Sequence, residues 1–410
     1  TQGDTVHTKI MQSISLLFAL LSMGLVFAIG NQINLPTAIF SSLFFISTPL
    51  LFMGATRALI DTVPVLGFCL VMASVVLFEA KTYKSWLAQG IILGISLWTH
   101  SQALLFPPLM VAGLVFYRGL ANWKELIKQI SVIALIAVTT GIWQYLDNYN
   151  KIGSFISDKP PIFQLQNLPW EDYFLIGRGV DGLTAQIQYG FFKGWFALEA
   201  YSILFWIVAA GVFLLKSPPL KKVVDYILGC KDAASEGKIL LAMLAVILAY
   251  HAGIFLAILL GINQIFRIER YMLIIVLCMS LIAGYVLDNC FHYGEKIKIR
   301  RLFASVVILL IAVQAVVFST QSNIFSASGN NQVVSYIRRY TPEESVILAT
   351  LVGDMYYADR KTVSNMDPRM EEFYKASSAE NGWEILRKFG ITHIYVTPNA
   401  QPTCYNSYLQ

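Results

Sequence analysis

WLAQGIILGISLWTHSQALLFPPLMVAGLVFYR, residues 86–118, decides how this chain meets a membrane. As one helix it would run about 50 Å at ~1.5 Å per residue, against a hydrocarbon core of about 30 Å. Both flanks are basic, with Lys81 and Lys84 before it and Arg118, Lys124 and Lys128 at and after its end. Basic loops stay in the cytoplasm. A segment that starts and finishes on one side has to go out and come back. Its one polar cluster, Thr99-His100-Ser101-Gln102, is then the vertex of a hairpin. Polar backbone at membrane depth is tolerated only against protein or a water-filled cavity, so the vertex is expected in an outward-facing cavity.

The rest of the sequence has the same character. Of 410 residues, 56% are hydrophobic and 13% charged, where a soluble domain carries about a quarter charged. Further apolar runs lie at 10–29, 37–54, 62–80, 130–146, 200–215, 238–260, 271–288 and 302–320, each near the ~20 residues a span requires. With the two limbs of the hairpin they make a membrane all-α bundle of about ten transmembrane helices. Two further basic loops, Lys216 to Lys238 and Lys296 to Arg301, complete the cytoplasmic side. The joint at 54–64, the long loop 147–199, Thr1 and everything after residue 320 then fall outside, so the chain reads as a multi-pass protein of the cell membrane with both ends extracytoplasmic.

The formal charge of +5 is spread over these loops, which argues against nucleic acid as a partner. The five cysteines show no CxxC spacing, so neither a metal site nor a disulfide framework is implied. The chain opens TQGDTVHTKI, without an initiator methionine or a signal peptide, and a preceding segment is expected.

After residue 320 the pattern changes to helix, strand, loop, helix, strand. Gly390 suits the position just past a helix over 381–389, and THIYV (392–396) reads as a strand. The expected organisation is a transmembrane bundle over 1–320, with its outer loop at 147–199, and a small extracytoplasmic α/β domain over 321–410 whose pattern stops in mid-course.

Charges at the outer joints mark the candidate site. GATRALIDTVP (54–64) holds Arg57 and Asp61 four residues apart, and a charge within reach of lipid costs several kcal/mol unless paired, hydrated or used. The plain alternatives are an i,i+4 ion pair or snorkelling to the headgroups. FRIERYM (266–272) contributes Arg267, Arg270 and Tyr271, equally well read as an interfacial anchor. His100 reads as a hydrogen-bonded group in the cavity, and His251 as a buried histidine with a partner. Asp4 and His7 have only their position near the outer face to support them. Trp170, Tyr173, Phe174, Tyr189, Phe191, Phe192, Trp195 and Phe196 of the outer loop suit an aromatic belt better than a sugar-stacking platform.

In their order and sidedness these segments resemble the C-superfamily (GT-C) membrane glycosyltransferases, above all the group of lipid A aminoarabinose transferases and bacterial protein O-mannosyltransferases. Arg57, Asp61 and Pro64 are similar to that group's outer Arg/acid/Pro loop. Gly90, Gly94, Thr99, His100 and Pro107 are similar to its short hairpin, with His at 100 where Lys is frequent. NYNKIGSFI (148–156), FRIERYM and WEILRKFGITHIYV (383–396) follow its later segments.

The resemblance implies a cell-envelope glycosyltransferase that passes a sugar from a polyprenyl-phosphate donor to a lipid, glycan or protein acceptor outside the membrane. It implies substrate-binding roles for Arg57, His100, Arg267, Arg270 and Tyr271 and a supporting catalytic role for Asp61. The main base is expected in an acidic pair upstream of Thr1. No cofactor is implied, and a divalent metal and protein partners stay open, as do two rival readings. One is a transporter with Arg57, Asp61 and His100 along its pathway. The other is a non-catalytic subunit of the same fold in a larger complex.

Overall fold

Pro49 divides the second apolar run. The computed structural model describes residues 2–56, 62–78, 82–99, 101–152, 204, 207–208, 235–259, 269–292, 305, 308–309, 312, 331–349, 358–364, 367–374 and 376–395. In chain order the bundle contains α1 (Gln2–Asn31), α2 (Leu35–Ser47), α3 (Pro49–Thr56), α4 (Thr62–Leu77) and α5 (Tyr83–Ser96). After a 3-10 segment (Ser101–Leu105) come α6 (Phe106–Arg118), α7 (Trp123–Ile152) and α8 (Ser235–Leu259). A second 3-10 segment (Glu269–Ile275) then leads into α9 (Val276–His292).

The run 37–54, expected as one span, is therefore two helices. Thr48 is extended at φ −61° and ψ 117° because proline's ring disfavours the helical conformation in the residue before it. The hairpin reading of 86–118 holds. α5 and α6 both pack on α4 and meet through the 97–105 vertex.

Four helical segments among the described residues are long and apolar enough to cross a bilayer: Ile10–Asn31, Trp123–Asp147, Ser235–Gly253 and Met272–Asn289. On α7 the exposed residues Leu135, Val138 and Ile142 give an apolar outer surface between two exposed tryptophans, Trp123 and Trp143. Twenty positions of helix span about 30 Å, the thickness of the hydrocarbon core. The two rings sit where an aromatic belt belongs.

Small residues set the helix contacts, as they do where lipid removes the hydrophobic drive for association. Gly90 and Gly94 lie one turn apart on α5 and let α7 approach. A Cβ at Gly90 would stand 2.6 Å from Ile136 Cβ, and one at Gly94 would overlap Thr140 Oγ1 and lie 3.0 Å from the Ala137 carbonyl oxygen. Gly284 does the same for α9 on α2, where a Cβ would meet Ser41 Oγ and come within 2.7 Å of its backbone nitrogen. Trp86, Tyr250, Phe45, Phe68, Phe106 and Met72 fill the interior.

Polar side chains tie several helices of the bundle together. Gln129 donates to Gln89 Oε1 at 2.8 Å, and Gln89 donates to the Ser74 carbonyl at 2.8 Å, which ties α7, α5 and α4 together. Asp288, 4% exposed near the end of α9, accepts from Asn34 Nδ2 at 2.7 Å and Thr37 Oγ1 at 3.2 Å. Asn34 also caps α2 by accepting from the Thr37 amide at 2.7 Å.

Residues 325–410 belong to a second compact unit, apart from the unit that holds 11–151 and 179–324. It contains α10 (Asn331–Tyr340), β1 (Val346–Ala349), β2 (Lys361–Ser364), α11 (Glu371–Tyr374), α12 (Ala379–Lys388) and β3 (His393–Tyr395). The three strands are parallel in the order β2-β1-β3. A parallel sheet needs cover on both faces, and the alternation along β1 supplies it. Leu348 packs with Met370, Phe373, Leu386 and Ile391, while Ile347 and Ala349 pack with Ile337 of α10 and Ala358.

Strand β2 corrects the sequence reading, which left KTVS in a loop. Four residues with one large apolar side chain carry too little local signal, and it is the open edge of β1 that makes them a strand. Arg360 fixes the turn before it, donating to the Thr341 carbonyl at 2.7 Å, Thr341 Oγ1 at 3.0 Å and the Arg338 carbonyl at 3.2 Å. Gly390 takes φ +67° after α12, with Ile391 N–H donating to the Leu386 carbonyl and Gly390 N–H to that of Arg387, both at 2.9 Å. That is a Schellman stop, sealed by the Leu386 and Ile391 side chains in one core.

Candidate functional site

The expected site residues lie in connections between helices, so the framework that holds those connections comes first. α4 is its centre. Gly67 on α4 lets α5 and α6 close in: a Cβ there would lie 3.3 Å from Ser96 Cβ and 3.4 Å from the Phe106 ring. Ser96, 3% exposed, donates to the Gly67 carbonyl at 3.3 Å and to that of Ile92 at 2.7 Å. The Phe68 and Phe106 rings pack at 5.3 Å between centroids.

The vertex of the hairpin is tied down on both limbs. Thr99 Oγ1 donates to the Ser96 carbonyl at 2.7 Å, and Tyr145 of α7 donates to the Leu97 carbonyl at 3.4 Å. The Ser101–Leu105 segment packs against both α4 and α6. Proline at the start of α6 favours the turn from vertex into helix, since a first-turn residue has no intrahelical acceptor for an N–H.

The Glu269–Ile275 segment, which carries Arg270 and Tyr271, packs against α3, α4 and α8. α3 ends at Thr56 and α4 begins at Thr62, so these helices border the loop of Arg57 and Asp61. The Glu269–Ile275 segment leads directly into the start of α9. The Asn34–Asp288 contact marks the opposite end of α9. Arg57, Asp61, His100 and Arg267 themselves lie outside the described residues, as do the aromatic residues between 170 and 196. For Arg270 and Tyr271 the backbone is described.

His251, expected to be buried, is half-buried and has a partner for one ring nitrogen. Its Nδ1–H donates to the Ile247 carbonyl one turn back, at 2.7 Å. No cluster of three or more His, Cys, Asp or Glu side chains that could hold a metal ion occurs among the described residues. The sequence reading passed over Asp288. A carboxylate at the end of an apolar run was the available signal, because an intramembrane acid asks for a partner or a task.

No family model and no curated protein sequence matches the chain. Its architecture does have counterparts. ArnT from Cupriavidus metallidurans, in its crystal structure bound to undecaprenyl phosphate, superposes with a TM-score of 0.53 over 93% of this chain and 75% of that one, at 11% identity. This chain has the GT-C fold. The apo crystal structure of the same ArnT aligns over 86% of this chain and 71% of that one, at 12% identity and a TM-score of 0.49. At such identity the likeness speaks to architecture: a GT-C membrane bundle followed by a small α/β unit. Side-chain roles in this chain have to be argued from its own residues.

Proposed function

We propose that this chain is the catalytic bundle of a glycosyltransferase that moves a sugar from a polyprenyl-phosphate carrier to an acceptor at the extracytoplasmic face. The observation that carries the reading is the packing of the Glu269–Ile275 segment against α3 and α4 in a chain of GT-C fold. That segment carries Arg270, and α3 and α4 are the helices that precede and follow Arg57 and Asp61 in the sequence. The undecaprenyl phosphate bound by the structural neighbour supports a polyprenyl-phosphate partner.

In the proposed reaction an acceptor hydroxyl oxygen bonds to the anomeric carbon of the sugar. The bond from that carbon to the phosphate oxygen breaks, and its electron pair stays on the phosphate. A carboxylate takes the hydroxyl proton. The leaving phosphate gains negative charge, and the role proposed for Arg57, Arg267 and Arg270 is to receive it, since a planar guanidinium matches phosphate oxygens two at a time. Asp61, four residues from Arg57, orients that arginine. His100 and Tyr271 are proposed to contact the donor from the vertex and from the Glu269–Ile275 segment. With the basic loops in the cytoplasm, the end that carries these groups faces outward.

Sugar transfer from a polyprenyl-phosphate donor, measured with the full-length protein in lipid, tests this. Removing one preorganised donor to a developing charge costs about 3 kcal/mol, or about a hundredfold in rate. Arg57→Ala and Arg270→Ala should each lose about that much turnover at unchanged thermal stability, and lysine should restore part of it. Near-normal transfer in both alanine variants would overturn the phosphate-gripping role. A wild-type protein that binds the carrier without transferring would mark a non-catalytic bundle.

A further inference from the structure

The outward face of α10 is polar and aromatic in a way its packing does not use. Val334 and Ile337 turn toward the sheet. On the other side Tyr336 is 64% exposed and Tyr340 58% exposed, one turn apart, with ring centroids 4.5 Å from each other. The Arg339 guanidinium lies over the Tyr340 ring at 5.5 Å. The helix sequence NQVVSYIRRY has two arginines and no acid. The only acids close by in sequence, Glu343 and Glu344, come after the helix has ended.

Exposed tyrosine beside arginine is the composition of a membrane interface. The phenol ring is apolar with one wet end, and the arginine stem can lie along apolar surface while its head meets phosphate. The chain also limits where this helix can go. The last apolar run ends at residue 320 and α10 begins at Asn331, so even a fully extended connection reaches only about 35–40 Å from the bilayer.

We propose that the Tyr336–Arg339–Tyr340 face of α10 rests in the headgroup layer of the membrane that holds the bundle, with anionic lipid as its partner. Charge decides between this and a protein partner. Among the described residues the face offers two rings and a cation, and an anionic headgroup layer satisfies all three groups at once. Basic residues near such a surface each add to the attraction, which weakens as salt rises.

The test uses the full chain in nanodiscs of neutral lipid or of neutral lipid with about a third phosphatidylglycerol. Spin labels are placed singly at Tyr336→Cys, Tyr340→Cys and, as a control on the opposite helix, Trp383→Cys, where Trp383 is 42% exposed. Collision with lipid-soluble oxygen and with a water-soluble nickel chelate reports depth.

With anionic lipid, labels at 336 and 340 should be several-fold more accessible to oxygen than to the chelate, and the label at 383 the reverse. Neutral lipid, high salt or Arg339→Gln should return the first two toward water. Three results would each overturn the proposal: chelate access at 336 and 340 equal to that at 383, protection from both reagents as in a protein contact, or depth indifferent to lipid charge. Hydrogen exchange on the unsubstituted chain gives a second reading that needs no cysteine. Slower exchange over 331–340 in anionic than in neutral nanodiscs supports the proposal, and equal rates overturn it.

Discussion

Removing the Asp288 carboxylate should loosen the bundle at the end away from the candidate site, by an amount its contacts set. Oδ2 accepts from Asn34 Nδ2 at 2.7 Å and Thr37 Oγ1 at 3.2 Å, and the residue is 4% exposed. Hydrogen bonds in folded proteins contribute about 1 kcal/mol each, and those between membrane helices average ~0.6 kcal/mol with a maximum near 1.7. Asp288→Ala should therefore cost about 2 kcal/mol, and Asp288→Asn less, because an amide oxygen can still accept.

Asn34→Ala removes one of these bonds and also the cap on the Thr37 amide, itself worth about 1 kcal/mol, for a similar total of about 2 kcal/mol. The two losses share one bond, so the double variant should fall short of their sum by about 1 kcal/mol. Unfolding of the full chain in mixed micelles titrated with SDS gives the four free energies of the cycle. Additivity within ~0.3 kcal/mol, the behaviour of independent sites, would refute the clamp.

Gly94→Val should destabilise the bundle by about 1–3 kcal/mol, the usual cost of overpacking, because a Cβ there already meets Thr140 Oγ1 and the Ala137 carbonyl. Detergent thermal melts would show it, and Thr140→Ala in the same chain should recover only part, since the backbone contact remains. Gly390→Val forces a β-branched residue to φ +67° and should lower the melting temperature of the α/β unit more than Gly390→Asn does, a comparison circular dichroism can make.

Arg369 donates to both Asp367 oxygens, closest at 2.6 Å from Nη2, and these bonds hold the Asp367 carboxyl below its ordinary value of 3.8. A depressed carboxyl stabilises above its unfolded value and loses that contribution as pH falls through the folded one. Arg369→Ala should thus raise the Asp367 titration toward 3.8 in a carboxyl-carbon NMR series, with little change in stability for so exposed a pair.

Much of the architecture was legible along the chain because it depends on quantities that add up locally. The length of 86–118 against a bilayer and the basic residues at its two ends require a turn whatever surrounds them. Gly390 after a run with helical period stops that helix through its own backbone freedom. The Pro49 break was also written in the sequence, yet an apolar run of suitable length hid it, since hydropathy does not register a missing N–H. Site residues were legible as types in joints.

What only the tertiary structure decided are the pairings across long stretches of sequence. Asp288 finds Asn34 more than 250 residues away, KTVS becomes a strand because β1 leaves an edge unpaired, and Glu269–Ile275 settles on α3 and α4. No local propensity encodes these. Within the bundle, small residues such as Gly67, Gly90 and Gly284 let particular helices approach closely, and close approach is a property of two surfaces at once.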